Sequence, residues 1–440
     1  MRIAVIGAGI VGVATAFELA LAGHEVQVLE QRSGLATEAS FASGGWLAAD
    51  ALAGWSPEVP DDVDAGPLGH RLQALAASIR QPAAAAWLWQ RAVARSGGQA
   101  DLTRMVSRAL AQRSLQRLDA CLQAYGWEPE HSRGSLLLLP DRKTQARAQT
   151  ALTRLAQAEL PHRLLDADQA RQVEPGLSGQ AELLSAVHLP GDVSANVRQM
   201  AHLLKAEAQR HGAQFRFDTE VVALTPGSPW QLDCRPVAPE GGVRTARDTD
   251  PDGLPAWDGR ADAVVLCNGL ADLQRWRDLR LKLPLQAVHG HSITAPLPDR
   301  HGLPEAGPRS VVVDLKQRVQ ISRLGERVRV CGGASLRPAR ESGDRAAWTA
   351  LYRTLEQWFP GAARTARAQQ WRGARPALPD GLPATGPGPW PGLWLNLGHG
   401  HQGWAWALAT AALLSEQLAG PEAPPWRADV SAALAPSRLR

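Results

Sequence analysis

Two rhythms of apolar and polar residues alternate along the chain. From Arg2, RIAVI is apolar and rich in β-branched residues, with no polar alternation. That pattern predicts a strand covered on both faces, as in parallel sheets. In IVGVATAFELALAG, Val13, Ala16, Phe17, Leu19 and Ala20 recur at helical spacing, and Gly23 predicts the stop. EVQVLE then alternates as a second strand ending at Glu30. The first thirty residues therefore predict a complete β-α-β unit.

The rest of the chain shows the same rhythms. Residues 70–126 read as helices, and DLTRMVSRALAQRSLQRLDACLQAYG carries one apolar stripe. GSLLLLP and the segments between about 284 and 334 read as strands of an antiparallel sheet. LWLNL predicts a late strand, GHGHQG a glycine-rich turn, and WAWALATAALLSEQL a helix. AAAAWLWQRAVAR, from Ala83, reads as a buried helix; the alternative is an interfacial helix with Trp87 and Trp89 near lipid. Residues 235–260 are rich in Pro, Gly and Asp and predict a long surface loop. No internal repeat is visible.

Composition narrows the class. The chain has 440 residues, 45% hydrophobic and 20% charged, which suits a soluble globular protein of two intertwined domains. Its net charge of +4 is spread along the chain without a Lys/Arg-rich run, so a nucleic-acid partner is not expected. The four cysteines, Cys121, Cys234, Cys267 and Cys331, form no C-x-x-C pair. They predict neither a dithiol centre nor a cysteine metal site, and suit a reducing cytoplasm. The longest apolar stretch, GWAWALATAALL, is too short to span a bilayer. The first apolar run already contains the glycine loop, so no cleaved leader is expected.

The opening unit also carries chemistry. Gly7, Gly9 and Gly12 form G-x-G-x-x-G, enclosing Ala8, Ile10 and Val11. Gly7 permits the tight turn, Gly9 lets a pyrophosphate approach the backbone, and Gly12 lets helix and strand touch. The helix amino end attracts the diphosphate. Glu30, followed by Gln31, can accept hydrogen bonds from ribose hydroxyls. A dinucleotide site is expected. Two further stretches point to a flavin. EASFASGGWLAAD, from Glu38, offers Ser40, Ser43, Gly44 and Gly45 to a flat polar ring, beside Ala42 and Trp46. The late turn Gly398–Trp404 brings a second helix amino end, which would stabilise negative charge on a reduced flavin.

With these stretches, the chain resembles the D-amino-acid oxidase superfamily of FAD enzymes, and within it the bacterial D-amino-acid dehydrogenase small subunits. The resemblance runs on through LPGDVSANV, FRFDTEVVAL, ADAVVLCNG, PLQAVHGHSITAP, RVQISRLGERVRVCGGAS and WRGARPALPDGLPATG. It implies an α/β fold: a Rossmann-like FAD-binding domain with a central parallel sheet, and a discontinuous α+β substrate domain with an antiparallel sheet and helices. The expected boundaries are 1–80, 155–275 and 371–440 for FAD, and 81–154 and 276–370 for substrate. The resemblance places Val221 at the adenine, Asn268 and Gly269 beside the cofactor, and Gly398, His399, Gly400, His401, Gln402, Gly403 and Trp404 around the flavin. His399 is expected to orient the turn, while His401 and Gln402 reach the pyrimidine ring. Trp46 stands where relatives often have glutamine. No cysteine precedes the Pro-Asp pair, so FAD is expected to be non-covalent, and the missing second G-x-G-x-x-G argues against NAD(P)H.

For chemistry, the resemblance implies oxidative deamination of a D-amino acid to a 2-oxo acid and ammonia. Hydride would pass from Cα to flavin N5, and electrons onward to a quinone or another acceptor besides O2. Arg375 is expected to grip the substrate carboxylate bidentately; the bland alternative is a surface arginine held by Asp380. His291 departs from the family's usual tyrosine and is expected to hydrogen-bond substrate, with His289 as its alternate. Glycine, sarcosine or a cyclic imino acid stay open as substrates, and so does O2 as acceptor. So does a flavoprotein subunit of a larger electron-transfer complex. A cytoplasmic location is expected, with peripheral contact at the inner membrane as the variant a quinone acceptor would need.

Overall fold

The computed structural model describes residues 1–48, 82–94, 97–237, 257–270, 279–281, 283–298, 307–336, 341–420 and 427–439. The helices expected between 70 and 81 and most of the loop expected at 235–260 lie outside the described residues.

The opening rhythm folds as expected: β1 (Arg2–Ile6), α1 (Ile10–Leu21) and β2 (Glu25–Leu29). They enter a six-stranded sheet with β7 (Gln214–Arg216), β11 (Ala263–Leu266), β17 (Ala384–Pro387) and β18 (Leu393–Leu397), in the order β17-β18-β11-β1-β2-β7. All pairings are parallel except β17 with β18. Both faces are covered, which explains the unbroken apolar strands. Ile3, Val5 and Val265 face a helical layer, while Ala4, Ile6 and Val264 face a small sheet of β8 (Thr219–Thr225), β9 (Trp230–Pro236) and β10 (Arg260–Ala261).

The helical layer contains α1, α3 (Gly97–Tyr125), α6 (Val197–Arg210) and α8 (Gly403–Leu418). Its membership corrects one expectation. α3 falls in the range assigned to the substrate domain, yet Val106, Leu110 and Leu118 pack into the core of the parallel sheet. Arg117 fixes the join by gripping Glu18 of α1 through Nε (2.6 Å) and Nη2 (2.9 Å). Glu18 is buried, so its desolvation cost demands such a paired, hydrogen-bonded partner.

Among the described residues the second sheet has nine strands. Its path runs β16 (Gln369–Ala377), β12 (Gln286–Pro296), β15 (Arg327–Ser335), β14 (Val319–Leu324), β13 (Val311–Asp314), β4 (His131–Leu139), β6 (Ser185–Ala195), β3 (Trp46–Leu47), with β5 (Arg163–Leu165) also on β6. β6 and β16 thus belong to this sheet, although the expected boundaries gave 185–195 and 371–377 to the FAD domain. Strand pairing, which a local pattern does not encode, overrides position in the chain. α7 (Glu341–Trp358) covers one face through Ile293, Ile321, Val330, Leu351 and Leu355. Around the periphery lie α2 (Pro82–Ala94), α4 (Arg142–Gln157), α5 (Ala167–Val173) and α9 (Ala428–Leu434). In α2, Trp87 is buried and donates to the Ala377 carbonyl (3.2 Å), whereas Trp89 is exposed. No helix among the described residues is long and apolar enough to cross a membrane.

Candidate active site

A cavity of about 570 Å³ opens between the two sheets. Every site residue named from the sequence lines it except Ala8 and Gly12, which support its wall, and His289, the alternate to His291.

The wall begins at the carboxyl end of β1. Gly7 takes φ +103°, a region that favours glycine. A Cβ on Gly12 would lie 1.9 Å from the Gly7 carbonyl oxygen, so helix and loop touch only because residue 12 is glycine. The Ala8 N–H donates to Glu30 Oε2 (2.7 Å), and the Arg32 N–H to Oε1 (2.9 Å). Burial pushes the Glu30 pKa up, against these hydrogen bonds. Its remaining lone pairs suit hydroxyl donors such as those of a ribose. The Ser40 hydroxyl accepts from the Ile10 N–H (3.1 Å), which places it on the cavity wall at the amino end of α1.

The opposite end is set by β18 and α8. Gly398 (φ +82°) turns the chain, one turn of 3-10 helix spans Gly400–Gln402, and α8 starts at Gly403. Two helix amino ends, those of α1 and α8, thus meet one cavity and present partial positive charge. His399 is buried, its Nε2 is 3.0 Å from Thr410 Oγ1, and burial lowers its pKa to about 3. It is a neutral group that anchors the turn. The Trp46 indole donates to the buried Asp192 carboxylate (2.9 Å), which also accepts from Ser135 (2.5 Å), so this cavity wall is fixed.

Strand alternation decides which side chains of the second sheet face the cavity. Ser292, Gln320, Cys331, Trp371 and Arg375 line it. Arg375 sits beside Gly290, whose Cβ, if present, would lie 2.3 Å from Nη2. Gly290 was not singled out in the sequence; its signal was the small residue between two histidines in VHGHS. Asp380, the alternative partner of Arg375, is instead held by Arg438 (2.7 Å).

His291 requires a correction. It borders the cavity, but its residue parity matches Ile293, which faces α7. Its Nε2 lies 2.8 Å from Asp344 Oδ1, its ring meets Trp348 edge-on (centroids 5.6 Å apart), and Asp344 also pairs with Arg372 (3.2 Å). The imidazole therefore ties β12 and β16 to α7 and is turned from the substrate side. His289, its proposed alternate, shares that charged surrounding: burial lowers its pKa first, then Arg372 and His291.

The residues fit FAD. Among the described residues, neither polar atom of the buried Asn268 amide has a hydrogen-bond partner, and it stands at the cavity wall. Such groups are rare unless a ligand satisfies them. The glycine cradle, Glu30 and the two helix ends line the same cavity and are the groups a diphosphate and a ribose would use.

Comparison with known proteins agrees. Among solved structures, glycine oxidase from Geobacillus kaustophilus matches with a TM-score of 0.66 and 21% identity, covering 100% of this chain and 98% of that one. Iminodiacetate oxidase from Chelativorans sp. BNC1 matches at 0.63 and 22%, covering 96% of each chain. L-proline dehydrogenase from P. horikoshii matches at 0.64 and 16%, covering 99% and 97%. These likenesses establish the shared fold. The sequence model of the FAD dependent oxidoreductase family (DAO) matches residues 2–417, and the chain therefore belongs to that family and has FAD as its cofactor.

Proposed function

We propose that this flavoprotein oxidises the C–N bond of an amino acid, with a D-amino acid as the substrate class and a quinone or similar acceptor downstream. The observation that carries the reading is Arg375, a guanidinium on the cavity face of the second sheet. A free carboxylate beside a C–N bond is common to the glycine, iminodiacetate and proline substrates in the names of the similar structures. The D preference rests on the sequence resemblance.

When bound, FAD supplies the two-electron acceptor for the hydride lost from the carbon that bears nitrogen. The chain's own residues do the rest. The Gly7–Gly12 loop, Glu30, Asn268 and the Gly398–Trp404 turn would hold the cofactor. Arg375 would take the carboxylate through two parallel hydrogen bonds and so set the distance of Cα. Trp46, Trp371 and Trp404 line the cavity and would keep water from the reacting carbon. With His291 turned to α7, no protein base is assigned, and the amine binds already neutral. Water then releases ammonia and the 2-oxo acid from the imino acid.

The test is anaerobic mixing of the purified holoprotein with D- and L-amino acids, glycine, sarcosine, proline and 2-hydroxy acids while flavin absorbance is followed. Bleaching by D-amino acids supports the reading. Bleaching only by 2-hydroxy acids, or by none of these compounds, overturns it.

A further inference from the structure

The Ser43–Gly45 loop is gripped from behind by the polar face of the second sheet. Arg329 donates from Nη1 to the Ser43 carbonyl (2.9 Å) and from Nε to Thr294 Oγ1 (2.9 Å). Gln320 Nε2 donates to the Gly44 carbonyl (2.8 Å), as does the Ser322 hydroxyl (3.1 Å). From a third side, the Ala195 N–H donates to the Gly45 carbonyl (2.9 Å). In a planar trans peptide the N–H points opposite to its carbonyl. With the Ser43 and Gly44 carbonyls turned to the sheet, the Gly44 and Gly45 N–H groups are directed away from it; the Gly45 N–H donates to Ser43 Oγ (3.4 Å), and both glycines line the cavity.

Arg329 is unusual in its setting. It is 6% exposed, and among the described residues no carboxylate is in contact with it. The ionisable groups that act on it are Cys331, Arg327 and Glu130, and Glu130 is taken by Arg327 at 2.7 Å. Burial lowers its pKa, but guanidinium keeps its proton in proteins. An unpaired buried cation costs several kcal/mol. If Ser43 needed only a donor, an uncharged amide would serve without that cost.

We propose that Arg329 is a positioning residue that raises the reduction potential of the bound flavin. It fixes the Ser43–Gly44 peptide and places a buried positive charge behind it. A nearby positive charge favours whichever form of the ring system carries more negative charge, and that is the reduced one. The inference rests on FAD occupying this cavity, not on the identity of the substrate.

The experiment uses holoprotein reconstituted with FAD and equilibrated with dithionite and a reference dye, with no amine present. Arg329→Gln keeps a donor for the Ser43 carbonyl and removes the charge; Arg329→Lys keeps the charge; Arg329→Met removes both. The expected result is a fall of about tenfold in the two-electron reduction equilibrium for R329Q, about 30 mV, a larger one for R329M, and near wild-type behaviour for R329K. R329Q at the wild-type potential would overturn the proposal, as would R329K shifting as far as R329Q. R329Q and R329K decide the matter even if R329M does not fold. An inactive enzyme with the expected potentials would discredit the amino-acid reading alone.

Discussion

Gly290→Ala separates positioning from folding. The added methyl would lie 2.3 Å from Arg375 Nη2 and 2.9 Å from Cζ, but 3.2 Å from the nearest backbone atom, the Gly333 carbonyl oxygen. The backbone contact is tight and needs a shift of a few tenths of an ångström. The guanidinium is the end of a flexible side chain and can move away, by roughly 1 Å, to restore an ordinary contact distance near 3.5 Å. Stability should then fall by no more than about 1 kcal/mol, within the common range for substitutions without a cavity. A displacement of about 1 Å at a positioning group costs on the order of 100-fold in rate, which is about 2.7 kcal/mol of transition-state stabilisation. Three measurements are needed: thermal midpoint, FAD content by absorbance, and kcat/KM with a D-amino acid and a dye acceptor. The expected variant melts near wild type, stays yellow and loses about two orders of magnitude in kcat/KM. Unchanged kinetics would refute the idea that the place of this guanidinium matters. A large loss of stability would show that the methyl is absorbed by the sheet instead.

Arg375→Ala should raise KM for carboxylate substrates, with a loss of about 10- to 100-fold in kcat/KM from removing charged hydrogen bonds; equal kinetics would remove Arg375 from the site. His399 gives a pH signature. Its pKa is about 3 in the folded protein against an ordinary 6.5, so the unfolded chain binds more protons between those values. Its contribution is complete above pH 6.5 and is lost as pH falls toward 3, about 2 kcal/mol by pH 5. Denaturant melts at pH 7 and 5 should show this loss in wild type and a smaller one in His399→Gln; parallel losses would contradict it. Gly12→Val, with its Cβ placed 1.9 Å from the Gly7 oxygen, should abolish FAD retention, and a yellow, stable variant would disprove the close packing of α1.

Local pattern sufficed for the cofactor end of the molecule. Strand, glycine turn, helix and acid lie within about thirty consecutive residues, and each is dictated by neighbours in sequence: backbone freedom at Gly7, helical spacing from Val13, an acid at the end of β2. The late turn before α8 is legible for the same reason. The substrate end is different. Arg375 and His291 stand on adjacent, paired strands, yet one faces the cavity and the other faces α7. That outcome depends on which residues pair, on the irregularity between His289 and His291, and on the covering helix. A shift of one residue in register would reverse the two faces.

The same distinction explains α3, whose stripe announced an amphipathic helix but not the partner that would bury it. It also explains Arg329, whose neighbours in sequence give no hint that Ser43 would be its acceptor. By itself the sequence determined the dinucleotide cradle and the identity of the family, because those are written in short-range backbone requirements. Only tertiary structure decided which charges look into the cavity, because side-chain direction in a sheet is a property of the pairing and not of the strand.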